Sequence, residues 1–462
     1  MRARKRKIAG TSGTAGTTGT DGTNGTDGTD GTNGTDGTNG TNGTTGTNGT
    51  DGTAGTDGTE KSRMSRMSRM SRVPEGWKMV KLGEVCDTCL GKMLDAKKNK
   101  GEYQSYLNNI AVRWGAFDLE GLPKMRFEAE EKERYSVRKG DIVVCEGGEP
   151  GRCAIWKNEE PIYFQKALHR VRAKDGVAND YIYYAFRNLV VTGITKSFET
   201  GSTIRHLPGQ ELKQIPIPLP PLPTQRKIAA VLGSLDDKVE NNRKICANLE
   251  AQAQVLFKSW FVDFEPFGGK MPDGWKMGKL GEVAEITMGQ SPDGKSLNDI
   301  GEGVTFFQGR AEFGSRYPTK RLSTTEPKRM ANKGDVLLSV RAPVGDLNIA
   351  LEDCCIGRGL SAIRSKSKAQ SFVYYLLKSK KDVFDLYEGS GTIFGSINKD
   401  ALHELHVISP NENDLHNFEK IVAPFDSLYC KKELESRALS SLRDALLPRL
   451  MSGEIDVSEV AV

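Results

Sequence analysis

Between Thr224 and Phe261 the apolar and small residues fall at Ile228, Leu232, Leu235, Val239, Cys246, Leu249, Ala253, Leu256 and Trp260. Their spacing alternates between four and three, with Asn242 as the polar interruption. That is the seam of a heptad-patterned amphipathic helix. From Ile228 to Phe261 it would extend roughly 50 Å at 1.5 Å per residue. Such a seam needs a partner, and Asn242 is where a buried polar side chain would fix the register. Just upstream, Ile215–Pro223 holds five prolines in nine residues. Proline lacks an amide donor and locks φ, so this run is predicted as a stiff extended lead, with Thr224 as the helix N-cap.

The partner seam is predicted at the far end of the chain. Shifted by 190 residues, Phe418–Met451 puts Phe418, Val422, Phe425, Tyr429, Leu439, Leu446 and Leu450 on the seam, with Lys432, Ser436 and Arg443 weakening its middle. Other echoes have similar offsets. Pro74–Val85 and Pro272–Val283 differ only at their second and seventh residues. Lys139-Gly-Asp141 recurs as Lys333-Gly-Asp335, and Gly201–Ile204 resembles Gly391–Phe394. A period this long is a tandem domain duplication, not a solenoid. Within each copy, short Val/Ile-rich runs (Ile142–Cys145, Ala154–Trp156, Val336–Val340) read as strands, and Asp180–Val190 and Ser371–Leu377 as helices. Each copy is therefore a mixed α/β unit of about 140 residues.

Composition changes the picture at the start of the chain. Gly10–Glu60 is a strict Gly-Thr-X repeat of 17 units, with no apolar residue larger than Ala. It cannot bury a core and is predicted disordered. A collagen triple helix is not expected, because the repeat contains no proline. A basic Ser-Arg-Met repeat follows, ending at Arg72. The 462 residues carry a net charge of +5, of which the first 72 contribute +3 (10 basic against 7 acidic residues). A body this close to neutral is no bulk polyanion binder, so any nucleic-acid footprint must be local. The basic start runs into Gly and Thr, unlike a signal peptide, and no apolar run is long enough to span a membrane. The eight cysteines lack a disulfide-framework spacing, which points to a reducing cytoplasm.

The candidate chemistry is sparse. Gly289–Ser296 spells the phosphate-loop pattern G-x-x-x-x-G-K-S, but Leu297–Gly303 has no helical periodicity to follow it. Cys86 and Cys89 have no second ligand pair at zinc-site spacing, and the five histidines form no metal-binding helix motif. What remains is a set of basic residues among Gly-rich loops, present in both copies. The candidates for DNA contact are Lys92, Arg113, Lys124, Arg126, Arg152, Lys166 and Arg205 in the first, and Arg310, Arg316, Lys320, Arg341 and Arg358 in the second. Arg and Lys position phosphates and read base edges, which is why these types in this setting point to DNA.

With these residues in view, the chain resembles the specificity subunit of a type I restriction-modification enzyme. The residues that carry the likeness are the doubled P-x-G-W-K-x-x-x-L-G-E-V, Met288–Pro292, Arg138–Asp141 with Cys145–Arg152, Pro220–Leu232 and Leu256–Phe264. The resemblance implies a mixed α/β (α+β) fold: two tandem target recognition domains separated by two long antiparallel helices forming a coiled coil, a pseudo-twofold internal repeat. The corresponding division is a tail at 1–72, recognition domains at 73–220 and 267–410, helices at 221–266 and 411–455, and a short tail at 456–462. It implies that each domain reads one half of a bipartite asymmetric site in double-stranded DNA. The helices would set the spacer and dock two modification subunits, through Ile228, Leu232, Leu235, Val239, Asn242, Leu249, Leu256, Trp260, Phe425, Tyr429, Leu439 and Leu446. Two restriction subunits complete the implied complex. The resemblance implies no activity and no cofactor for this chain, with S-adenosylmethionine, ATP and Mg on its partners. Two other readings differ in class: a nucleotide hydrolase built on Lys295, and a coiled-coil adaptor that does not bind DNA.

Overall fold

The computed structural model describes residues 73–461 except 94, 96–98 and 389–394. The two N-terminal repeats and the Gly391–Phe394 echo lie outside the described residues.

The first copy contains β1 (Lys78–Lys81), β2 (Cys86–Leu90), β3 (Glu102–Leu107), β4 (Val112–Arg113), β5 (Ala116–Phe117), β6 (Lys124–Phe127), β7 (Ser136–Val137), β8 (Ile142–Cys145), β9 (Cys153–Ile155), β10 (Ile162–Phe164), β11 (Leu168–Ala173), helix α1 (Asn179–Val191) and β12 (Pro216–Leu219). One antiparallel sheet has the order β2-β11-β8-β9. A second, β6-β3-β10-β7, contains a parallel β3–β10 pair. All four residues of β8 are buried, because the strand has a core on each side. Ile142 and Val144 join Tyr181, Ile182 and Phe186 of α1, whereas Val143 and Cys145 join Leu107, Val137 and Phe164 of the second sheet. The period-two alternation thus serves two cores and leaves no polar face to read in sequence. It also explains Cys86 and Cys89: three apart on β2, they enter different cores.

The second copy repeats the plan. Strands β13 (Lys276–Lys279), β14 (Ala284–Met288), β15 (Leu297–Asn298), β16 (Val304–Phe307), β17 (Leu322–Thr324), β18 (Met330–Ala331), β19 (Val336–Ser339), β20 (Leu347–Ile349), β21 (Cys354–Ile356) and β22 (Leu360–Ser365) precede α3 (Gln370–Lys378) and β23 (His406–Ser409). The sheets are β14-β22-β19-β20 and β15-β17-β16-β21-β18. Val336 and Leu338 pack toward α3, and Leu337 packs toward Phe307 and Ile356. The Lys-Gly-Asp echo gains a physical reason. Asp141 accepts both Nε and Nη2 of Arg172 at 2.6 and 2.7 Å, and Asp335 accepts the same pair from Arg364 at 2.7 and 2.9 Å.

The long helices are α2 (Leu222–Phe261) and α4 (Glu412–Met451), 40 residues each and thus roughly 60 Å long. α2 starts before the expected cap. Pro221 is the N-cap, Pro223 sits in the first turn, where no amide donor is needed, and Thr224 lies inside the helix. The proline-rich lead is extended as expected but not free: β12 pairs antiparallel with β1, Met79 opposite Pro218. Two strands suffice because only alternate residues of β12 must donate. Asn411 caps α4 by accepting the Asp414 amide at 2.9 Å.

The two helices pack on each other in opposite directions. Arg443 reaches Asp236, Asn242 Nδ2 donates to Glu435 at 3.0 Å, Cys246 lies 3.7 Å from the Tyr429 carbonyl, and the rings of Phe257 and Phe418 are 6.2 Å apart. Of the seam residues, Ile228, Leu232, Val239, Asn242 and Tyr429 are buried; Leu235, Leu249, Leu256, Trp260, Phe425, Leu439 and Leu446 are half-buried. Toward its C-terminus α2 departs from the expected phase. Phe257 and Phe261, one position on from Leu256 and Trp260, are the buried pair, because this end packs on Phe372 of α3 as well as on Phe418.

Candidate nucleic-acid interface

Each copy gathers five loops into a hydrogen-bonded cluster at the strand ends. In the second copy, Gly289 N donates to Leu360 O (2.9 Å), Gln290 N to Ile356 O (2.9 Å) and Gly357 N to Phe307 O (2.8 Å). Val340 N reaches Gly359 O (2.9 Å), and Ile397 N reaches Val340 O (3.0 Å). Ser291 and Gln308 exchange side-chain hydrogen bonds at 3.0–3.1 Å. A Cβ on Gly289 would lie 2.2 Å from the Gly357 carbonyl, so this approach requires glycine. That is the physical content of the Met288–Pro292 motif. Its phosphate-loop reading fails, because Gly294–Ser296 is a single 3-10 turn capped by Asp293 and runs into β15, with no helix to hold a phosphate.

The first copy uses the same lattice. Gly91 N donates to Leu168 O (3.0 Å), Lys92 N to Phe164 O (3.1 Å), Gln165 N to Leu107 O (3.1 Å) and Glu146 N to Ala167 O (2.9 Å). Here a Cβ on Gly91 would meet Gln165 O at 2.2 Å. Leu207 N closes on Glu146 O, and its own carbonyl is bonded to Nε2 of His169 at 2.9 Å. Burial holds the His169 pKa below its usual value, which favours the neutral ring in this supporting position.

The exposed side chains of the two clusters differ. The second presents Gln290, Arg310, Arg341 and Arg358; Arg310 is paired with Asp346, while Arg341 and Arg358 have no ion pair among the described residues. The first presents Met93, Glu149, Lys166, Arg205 and His206, with Arg205 3.6 Å from Glu199. Arg152 lies beneath that surface, bonded to Glu149 and the Asn109 carbonyl at 2.7 Å each. Gln290 and His206 carried no charge to flag them; the glycine beside Gln290 was the available signal.

The remaining basic candidates lie elsewhere. Arg113 is exposed on the β4–β5 turn, 3.3 Å from Asp118, and Lys124 and Arg126 are exposed on edge strand β6, Arg126 resting 4.6 Å over the Tyr103 ring. Lys320 lies 3.9 Å from Glu352. Two candidates must be corrected. Lys92 is buried, paired with Glu131 and donating to the Arg126 carbonyl at 2.8 Å. Arg316 is fully buried, bonded to Asp426 at 2.6 Å, with the Tyr374 ring 4.2 Å away. Neither side chain can reach a ligand outside.

The family model for the type I restriction modification DNA specificity domain matches residues 74–251 and 272–442, one match per copy with its helix. A putative type I restriction enzyme MjaX specificity subunit of Methanocaldococcus jannaschii is 30% identical over 405 residues, covering 83% of this chain and 95% of that protein. The MjaIX specificity subunit of the same organism is 27% identical, covering 70% of this chain and 79% of that protein. A solved type I restriction-modification S subunit from M. genitalium shares the fold, with a TM-score of 0.54 and 18% identity over 82% of this chain and 96% of that one. The collagen triple helix repeat model matches residues 8–63, outside the described residues. That match reflects glycine at every third position in a tract without proline.

Proposed function

The chain belongs to the type I restriction-modification specificity family, and from that premise we propose how its two halves read DNA. It is the non-catalytic, DNA-recognising component of such a system. Each domain lays its loop cluster in the major groove and reads one half of a bipartite, asymmetric site. The observation that carries this reading is the pair of clusters: one backbone lattice built twice, with different side chains exposed. Arg341 and Arg358 offer forks that suit guanine O6 and N7, and Gln290 suits adenine N6 and N7. Lys166 and Arg205 serve the first half-site, while Arg113, Lys124 and Arg126 hold phosphates. α2 and α4 form an antiparallel coiled coil that relates the two domains by a pseudo-twofold axis and sets the gap between half-sites, with Asn242 fixing its register. The outer faces of the helices dock two modification subunits, which use S-adenosylmethionine, and two restriction subunits using ATP and Mg join them. This chain binds none of these cofactors, and the assembly works in the prokaryotic cytoplasm.

Mapping N6-methyladenine across the genome of cells carrying this chain tests the reading. A split motif with unlike halves and a constant spacer is expected. A continuous or palindromic motif overturns it.

A further inference from the structure

The sheets, loops and long helices account for reading heads and a ruler, but a ruler is useful only if the heads cannot swivel on it. Adding one base pair moves a half-site by about 3.4 Å and turns it by about 35°. Discriminating that step requires each domain to be held in both position and rotation.

The helix by which each domain rests on the long pair, α1 or α3, carries the same two-point arrangement. Tyr184 of α1 donates to Asp236 of α2 at 2.8 Å; Tyr375 of α3 donates to Asp426 of α4 at 3.0 Å. The sequence separations are 52 and 51, so each tyrosine grips the long helix that follows its own domain. Three residues on, a cation reaches the other long helix. Arg187 donates to Asp444 of α4 at 3.3 Å, and Lys378 is paired with Glu250 of α2. An arginine closes each aspartate, Arg443 from α4 on Asp236 and Arg316 on Asp426. Much of the remaining contact is apolar, with Tyr181 and Ile182 in one cluster with Ile228 and Leu232, and Phe372 in one with Phe257 and Phe418. Glu419 of α4 also accepts the Phe372 amide, and Lys157 pairs with Asp237 and Glu240 of α2. Apolar surfaces tolerate sliding; directed hydrogen bonds and ion pairs, only partly buried at this junction, fit one geometry and are lost in any other.

We propose that Tyr184–Asp236 with Arg187–Asp444, and Tyr375–Asp426 with Lys378–Glu250, are two clamps that lock each recognition domain to both long helices and so set how strictly the spacer length is read. These are positioning residues, and none of them touches DNA. The proposal rests on the bipartite DNA reading above.

The test compares Tyr184→Phe, Tyr375→Phe, Lys378→Gln and Lys378→Arg in the chain assembled with the modification subunits of its own system. Modified adenines are mapped over all genomic sites that carry both half-sites, binned by spacer. The two phenylalanine variants and Lys378→Gln should keep the same half-site bases, while methylation at spacers one base pair too long or short rises about tenfold relative to the native spacer. Lys378→Arg, which keeps the ion pair, should retain wild-type selectivity. Lys378 is partly exposed, so its variants report even if a tyrosine variant fails to fold. Spacer selectivity within twofold of wild type in Lys378→Gln, or altered half-site bases in any variant, overturns the clamps. A wild-type chain that shows no bipartite methylation removes the underlying reading, and the clamps with it.

Discussion

Arg316 and Arg358 show how little a single residue type settles. Both lie in Gly-rich stretches of the second copy, and both read as DNA contacts in sequence. The structure sends one inward among Tyr374, Tyr375, Tyr429 and Asp426 and leaves the other exposed on the loop cluster. Burial by itself would lower the Arg316 pKa, but the surrounding tyrosines and Asp426 more than offset that and hold it above the usual arginine value. The two substitutions should therefore fail differently. Arg316→Ala leaves Asp426 half-buried without its cationic partner, with only the Tyr375 hydroxyl still donating to it, an expected loss of about 3 kcal/mol in folding stability. Arg358→Ala should leave the denaturation midpoint unchanged and cost about 1–3 kcal/mol of discrimination at one half-site, with the other half-site untouched. Denaturant titration alongside methylation of substituted sites separates them. A stable Arg316→Ala, or an Arg358→Ala that weakens both half-sites equally, contradicts these assignments. The difference was not legible in sequence because the tyrosines that enclose Arg316 come from α3 and α4, 58 or more residues further along the chain.

At the scale of elements, periodicity was legible and junctions were not. The heptad seam revealed α2, and the repeat supplied α4 as its partner. The sequence phase missed Phe257 and Phe261, because a third helix packs there, and it placed the start of α2 at Thr224 where Pro221 and Pro223 already suit a first turn. Another junction has a measurable consequence. Glu419 of α4 accepts the Phe372 amide in the first turn of α3 at 2.9 Å. Burial pushes its pKa up from 4.5 to about 7, against the pull of its hydrogen bonds from Phe372 and Ser371. The folded state therefore holds this proton where the unfolded chain has released it. The stabilisation is complete below pH 4.5, falls as pH rises toward 7 and is gone above it, a change of about 3 kcal/mol at most. Glu419→Gln cannot titrate, so its stability should decline less than wild type over that window, measured by denaturant midpoints from pH 4.5 to 8. Parallel curves for the two proteins would show that Glu419 does not carry the effect.

For the whole molecule, the duplication was the most legible feature, because an internal repeat needs no knowledge of packing to be seen. What it could not reveal is that the two copies share a loop lattice while differing in exposed side chains, since loop positions depend on contacts such as Gly289 against Gly357 that no local pattern encodes. A two-headed reader on a paired-helix ruler makes a quantitative demand. Matched seven-residue insertions, one just after Asn242 in α2 and one just before Glu435 in α4, face each other in the antiparallel pair, keep the two residues paired and preserve the seam. They lengthen the pair by about 10 Å at 1.5 Å per residue, close to three base pairs at 3.4 Å each. Both half-sites should be kept and the preferred spacer should lengthen by up to three base pairs. Total modification should fall, because three base pairs also turn the far half-site by about 100°, which DNA twist or the two clamps must absorb. Combining the insertions with Tyr184→Phe and Tyr375→Phe should restore part of that loss, since freed domains can follow the turn. Unchanged spacing, or a change in the bases read, would show that the helices do not measure the gap.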